Sequence, residues 1–110
     1  MDDSSFEKLA GRTIDRLFEA LDDALGDRAE IDLEGGILTI ELEDGGQYVI
    51  NRHGPNRQIW LSSPKSGAWH FERKEDGAGG GSGGGWVSTR GSERLDAVLG
   101  AEFGIALELD

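Results

Sequence analysis

Carboxylates are the side chains best placed to do chemistry here. At about 100° per residue of helix, Asp15, Glu19, Asp22 and Asp23 fall within roughly 100° of one another. Glu30, Asp32 and Glu34 follow at a period of two, on one face of an extended segment. Asp15/Glu19 and Glu19/Asp23 are like-charge pairs four residues apart, each costing about 0.2–0.5 kcal/mol on a helix. Acids in the last turns also oppose the helix macrodipole, by about 0.3–1 kcal/mol. A solvated, solubilising face is the plain reading; that the chain accepts this arrangement at such a cost points to a use for the field. Carboxylates without cysteine or histidine suit hard, oxygen-seeking cations: calcium, magnesium, manganese or iron, Fe(III) above all. Such a site is open and shallow, with water completing the shell, so affinity is modest and selectivity poor. No EF-hand loop is present. The other candidate is a basic protein surface, whose approach the acids would steer.

A second constellation is aromatic. Ile59 and Leu61 take the core phase of their strand, so Trp60 points outward, with Asn51, Gln58 and His70 on the same sheet face. An exposed Trp is a favoured binding hot spot. His53 and His70 have no matched carboxylate spacing and read as surface or turn histidines rather than ligands. Catalysis finds little support: there is no nucleophile elbow, no phosphate-binding loop and no zinc-protease motif, and Ser62-Ser63 lacks a third member. The chain therefore reads as a non-enzyme.

These groups must be held by regular elements. Ser4-x-x-Glu7 has the form of a capping box, and Phe6, Ala10, Thr13, Ile14, Leu17, Leu21, Ala24 and Leu25 recur at helical spacing up to Gly26. Ala29, Ile31 and Leu33 then alternate with the strand acids, and Gly35-Gly36 reads as a two-residue hairpin turn. Leu38, Ile40 and Leu42 alternate in turn with Thr39, Glu41 and Glu43. Asp44-Gly45-Gly46, Gly54-Pro55 and Ser63-Pro64 mark further turns between short strands. Residues 77–85 are rich in glycine and read as a flexible hairpin loop, though the run also has a synthetic linker's composition. A strand resumes at Trp86. Ser92 is a good N-cap for a last helix with Leu95, Val98, Leu99, Phe103 and Ala106 as its apolar stripe. The expected fold is α+β, a two-layer sandwich in which five or six antiparallel strands carry both helices on one face.

Composition narrows the classes. The 110 residues make one small domain, residues 1–110. The formal charge is −11, and residues 1–44 supply nearly all of it, with 14 acids against 4 bases. Phosphate-backbone binding wants the opposite sign, so nucleic acid is excluded as a partner; an acidic decoy mimicking nucleic acid remains an alternative. There is no cysteine, hence no disulfide and no thiolate chemistry. No apolar run approaches the roughly 18 residues of a membrane span. Met1 leads straight into the helix without a cationic apolar leader, which fits a cytoplasmic protein.

Nearly the whole chain resembles the frataxin family in its bacterial form. The resemblance rests on Leu21-Asp22-Asp23 closing the first helix and on Gly35-Gly36-Ile37-Leu38-Thr39-Ile40. It continues through Ile50-Asn51-Arg52 and the long run from Pro55-Asn56-Arg57-Gln58-Ile59-Trp60 to Pro64, then Trp69-His70-Phe71, Trp86-Val87 and the Leu95–Leu99 segment. It implies the same sandwich and a role in iron–sulfur cluster assembly. Family members bind ferrous and ferric iron weakly on an acidic ridge, bind the cysteine desulfurase and modulate sulfur transfer to the scaffold protein. By position the ridge is Asp15, Glu19, Asp22, Asp23, Asp27, Glu30, Asp32 and Glu34, and the partner face is Asn51, Gln58, Trp60 and His70. His70 stands where eukaryotic members often have Arg. The resemblance further implies a monomer, with iron-induced oligomers and an assembly-dependent iron oxidation as possibilities. The glycine-rich stretch is longer than the family's usual hairpin.

Overall fold

The computed structural model describes residues 3–74 and 85–107. Its elements run α1 (Asp3–Leu25), β1 (Ala29–Glu34), β2 (Ile37–Leu42), β3 (Gln47–His53), β4 (Gln58–Ser63), β5 (Gly67–Lys74), β6 (Gly85–Ser88) and α2 (Leu95–Phe103). The six strands form one antiparallel sheet in chain order.

Register follows from turn chemistry. Gly35 and Gly36 both take positive φ, +62° and +81°, which a two-residue hairpin requires and β-carbon-bearing residues resist. That turn sets Glu34 opposite Ile37 and, four pairs on, Glu30 opposite Glu41. At the next turn Asp44 caps its own loop, its Oδ1 accepting the Gly46 N–H at 2.8 Å.

Period-two alternation gives the sheet one apolar face. Leu38, Ile40, Tyr48, Ile50, Ile59, Leu61, Phe71 and Trp86 are buried on it. α1 buries Phe6, Ala10, Thr13, Ile14, Leu17, Leu21 and Leu25 against that face, and α2 adds Leu95, Val98 and Leu99 to the same core. Thr13, the one polar member of the α1 stripe, accepts the Trp86 indole N–H at 2.8 Å. The expected sandwich, with six strands, is therefore found.

Four local expectations are corrected. α1 already runs at Asp3, so Ser4 and Glu7 sit inside it and form no capping box; Glu7 instead pairs with Arg52 at 2.7 Å. α2 starts at Leu95, not Ser92, because the preceding segment lies along β6: the Ser88 N–H donates to Glu93 O at 2.7 Å and Arg94 bridges to Val87. Ala24 and Ala106 are exposed. Gly104, left-handed at φ 70°, ends α2 and turns Ile105 and Leu107 toward the core instead. Residues 77–84 of the glycine-rich stretch lie outside the described residues. Gly85 belongs to β6, where a β-carbon would lie 2.6 Å from the Arg94 guanidinium.

Candidate functional site

Burying one stripe of α1 forces its complement into water. Asp15, Glu19, Asp22 and Asp23 are all exposed. The chain leaves the helix through a tight turn in which the Gly26 N–H donates to Asp22 O at 2.9 Å. A β-carbon at Gly26 would lie 2.6 Å from that carbonyl, so only glycine fits. The turn presents Asp27 and delivers the chain into β1, where Glu30, Asp32 and Glu34 take the outward phase and are exposed. The helix acids therefore lie in one layer and the strand acids on the opposite face of the sheet, with the edge strand β1 between them. Among the described residues, none of these eight side chains makes an ion pair or a side-chain hydrogen bond.

The register adds residues that the sequence reading left out. Glu41 faces Glu30 directly, and Asp27, Arg28, Glu30, Glu41 and Glu43 line a cleft of about 400 Å³. The signal was available, since a two-residue turn at Gly35-Gly36 dictates that pairing. Among the described residues no three carboxylate or imidazole groups converge as a preformed metal cage. The donor set is an array of exposed, unpaired carboxylate oxygens. It fits a hydrated hard cation held by one or two protein ligands at a time, not one stripped of its water.

The outer sheet face places the other predicted residues together. Ile37, Asn51, Trp60 and His70 are successive cross-strand partners, and Glu34 opposes Ile37 at the edge. One row therefore runs from the acidic edge to the aromatic centre, about 19 Å at sheet spacing. Ile37, 47% exposed, is the large apolar residue left in water on that row. Trp60 is half-buried, and its Nε1–H donates to Gln58 Oε1 at 2.8 Å. Asn51 Nδ2 donates to Arg52 O at 3.3 Å.

His53, read as a turn histidine, joins this face. Its ring stacks on Trp60 at 3.8 Å with a 9° interplanar angle, and His70 stacks on the other side at 4.3 Å and 11°. Both faces of the indole are thus covered, and what remains open of Trp60 is its edge. The same geometry separates the imidazoles by an aromatic ring, so they cannot share one metal ion.

A further carboxylate that the sequence did not single out is Glu102. Its Oε1 accepts from Tyr48 at 2.9 Å and Ser63 at 2.6 Å, and its Oε2 accepts from Ser66 at 2.6 Å. Lys65 Nζ donates to its backbone carbonyl at 3.0 Å. Burial pulls the Glu102 carboxyl upward, but the bonds from Ser63, Ser66 and Tyr48 and the charge of Lys65 outweigh it and hold it below its ordinary value. Burial first, then the bond to Glu102 and its charge, push the Tyr48 hydroxyl up to about 12. This cluster ties α2 to the β4–β5 turn and lies apart from both predicted surfaces.

Comparison with known proteins agrees with this architecture. A family model described as a frataxin-like domain matches residues 1–109. An iron–sulfur cluster assembly protein CyaY from Cupriavidus pinatubonensis is 35% identical over 105 residues, covering 92% of this chain and 86% of the relative. A mitochondrial frataxin from Caenorhabditis elegans is 34% identical over 106 residues, 91% of this chain and 73% of the relative. Among solved structures, a trimeric frataxin from the yeast Saccharomyces cerevisiae, complexed with ferrous iron, superposes with a TM-score of 0.73. It is 33% identical, over 87% of this chain and 82% of that one. With its two helices on one face of a six-stranded antiparallel sheet and the family pattern running from end to end, the chain belongs to the frataxin family.

Proposed function

We propose that this chain is a non-enzymatic, iron-binding accessory protein of iron–sulfur cluster assembly, which docks on a cysteine desulfurase in the cytoplasm of a bacterium. The observation that carries this reading is the single cross-strand row from Glu34 through Ile37 and Asn51 to Trp60 and His70. It makes the acidic edge and the aromatic centre parts of one continuous surface. The curated bacterial relative is an iron–sulfur cluster assembly protein, and the yeast neighbour was solved with ferrous iron.

In this role Asp15, Glu19, Asp22, Asp23, Asp27, Glu30, Asp32 and Glu34 attract iron and a basic groove of the desulfurase. Asn51, Gln58, Trp60 and His70 anchor the sheet face on the same complex or on the scaffold protein. Iron is cargo here, weakly held through its water shell, and we assign the chain no reaction of its own. Trp60→Ala should weaken desulfurase binding by about 2 kcal/mol or more, as truncating an interface hot spot does; an unchanged dissociation constant would remove that anchor. Binding should also weaken as salt rises, because exposed charges are screened over about 8–10 Å.

The absence of three converging ligands among the described residues favours a second reading, in which the ridge is a docking surface without physiological metal. An anaerobic ferrous titration followed by backbone amide NMR separates the two. Broadening confined to residues 15–34 and reversed by chelation supports iron. Resonances that stay sharp at several equivalents withdraw it and leave the docking role.

A further inference from the structure

The sheet has two edges, and they are finished differently. At β6 the segment before α2 covers the strand through the Val87–Arg94 bridge and the bond from Ser88 N–H to Glu93 O. At β1, among the described residues, the strand's backbone pairing runs to β2 alone. In an antiparallel ladder every second residue aims its N–H and C=O away from the neighbour, so β1 presents a row of unpaired donors and acceptors to solvent.

The core is also unfinished at this edge. Ile31 and Leu33 face the helix layer yet stay partly exposed, while their partners Ile40 and Leu38 on β2 are fully covered. On the other face Glu30, Asp32 and Glu34 project at every second position. The edge therefore asks for three things at once: main-chain pairing, apolar cover on the helix side and positive charge on the outer side.

We propose that the β1 edge receives an extended segment of a partner protein as a seventh strand. Its Lys or Arg residues recur at alternate positions over Glu30, Asp32 and Glu34, with apolar residues between them over Ile31 and Leu33. Main-chain bonds supply affinity and the alternating side chains supply selection. A second copy of this chain would bring the same acids to the edge, and like charges directly opposite are destabilising. The inference deepens the docking half of the proposed function and rests on it for the class of partner.

The test uses the whole chain and a synthetic peptide of about eight residues alternating lysine and valine, read by fluorescence anisotropy near physiological salt. The alternating peptide should bind about tenfold or more tightly than a shuffled peptide of the same composition. N-methylating one set of alternate amides should abolish that advantage and methylating the other set should not, because only one edge of the peptide can pair. Glu30→Lys, Asp32→Lys and Glu34→Lys together should transfer the preference to a glutamate–valine peptide. Equal binding of shuffled and methylated peptides would reduce the effect to charge attraction and overturn strand addition, and no binding at all would leave the acids as a fence against edge pairing. Desulfurase affinity is measured on the same protein. If it is retained while the peptide criteria fail, strand addition alone is withdrawn; if it is absent while they are met, the desulfurase role falls and the edge site stands.

Discussion

Glu102 accepts three side-chain hydrogen bonds on its two carboxylate oxygens, whereas the eight acids from Asp15 to Glu34 on α1, the following turn and β1 accept none among the described residues. The difference lies in where the backbone takes each group. Glu102 sits in the last turn of α2, where no basic residue offsets the dipole, yet it is turned toward the β4–β5 turn, where Ser63 and Ser66 are waiting. Asp22 and Asp23 occupy a similar place at the end of α1 and are turned to water. A carboxylate that meets donors becomes part of the fold, and one that meets only solvent and like charge remains available to a partner. One group thus contributes to stability, and the other, of the same chemistry, is left for the role proposed for it.

Removing Glu102 should have the largest effect on the fold. Glu102→Ala leaves three hydroxyls without their acceptor and should cost about 2–3 kcal/mol, read as a lower midpoint in urea unfolding with an unchanged slope. Asp22→Ala, by the same contrast, should leave stability nearly unchanged. If the two variants unfold alike, the division between structural and available carboxylates is wrong.

Titration tests the same cluster from both sides. The folded-state value of Glu102 lies below its ordinary 4.5, so its contribution is present above 4.5 and is lost as pH falls through the depressed value. The folded-state value of Tyr48 is about 12 against an ordinary 10, so its contribution is complete below pH 10 and is lost as pH rises toward 12. Tyr48→Phe should cost about 1 kcal/mol at neutral pH, since Ser63 still serves the same oxygen. It should also remove most of the fall in stability between pH 10 and 12. An alkaline limb that survives this change would assign the titration elsewhere.

The elements were legible because they obey periods. Alternation of two put Ile31, Leu38, Ile50 and Ile59 inward and Trp60 outward, and the helical stripe of α1 was correct at seven of its eight positions. What escaped depended on distance in sequence. Glu102 meets Ser66, Ser63 and Tyr48, which lie 36, 39 and 54 residues away, and no local pattern records such a meeting. His53 escaped because its stack on Trp60 needs the β3–β4 register, which places it opposite Gln58, diagonal to the indole. The start of α2 escaped because Ser92 is a good cap in isolation, but its segment is recruited to finish the β6 edge. The exposure of the eight acids could be read because exposure asks nothing of the rest of the chain.

The smallest effect should have the opposite sign. Asp23 lies four residues from both Glu19 and Asp27 and close to the carboxyl end of α1, where the macrodipole is negative. Asp23→Asn relieves the like-charge pair with Glu19 and the opposition to the dipole, so it should stabilise the chain by about 0.5–1 kcal/mol at low salt. The gain should shrink as salt screens it, which distinguishes electrostatic relief from better packing. On the docking role proposed for the ridge, the same substitution should weaken desulfurase binding, since it removes a negative charge from that surface. A variant that gains stability and loses docking places the ridge among sites where function holds a protein below the stability its fold allows. A variant that gains stability and docks as before would make Asp23 a solubilising charge and confine the docking field to the turn and β1.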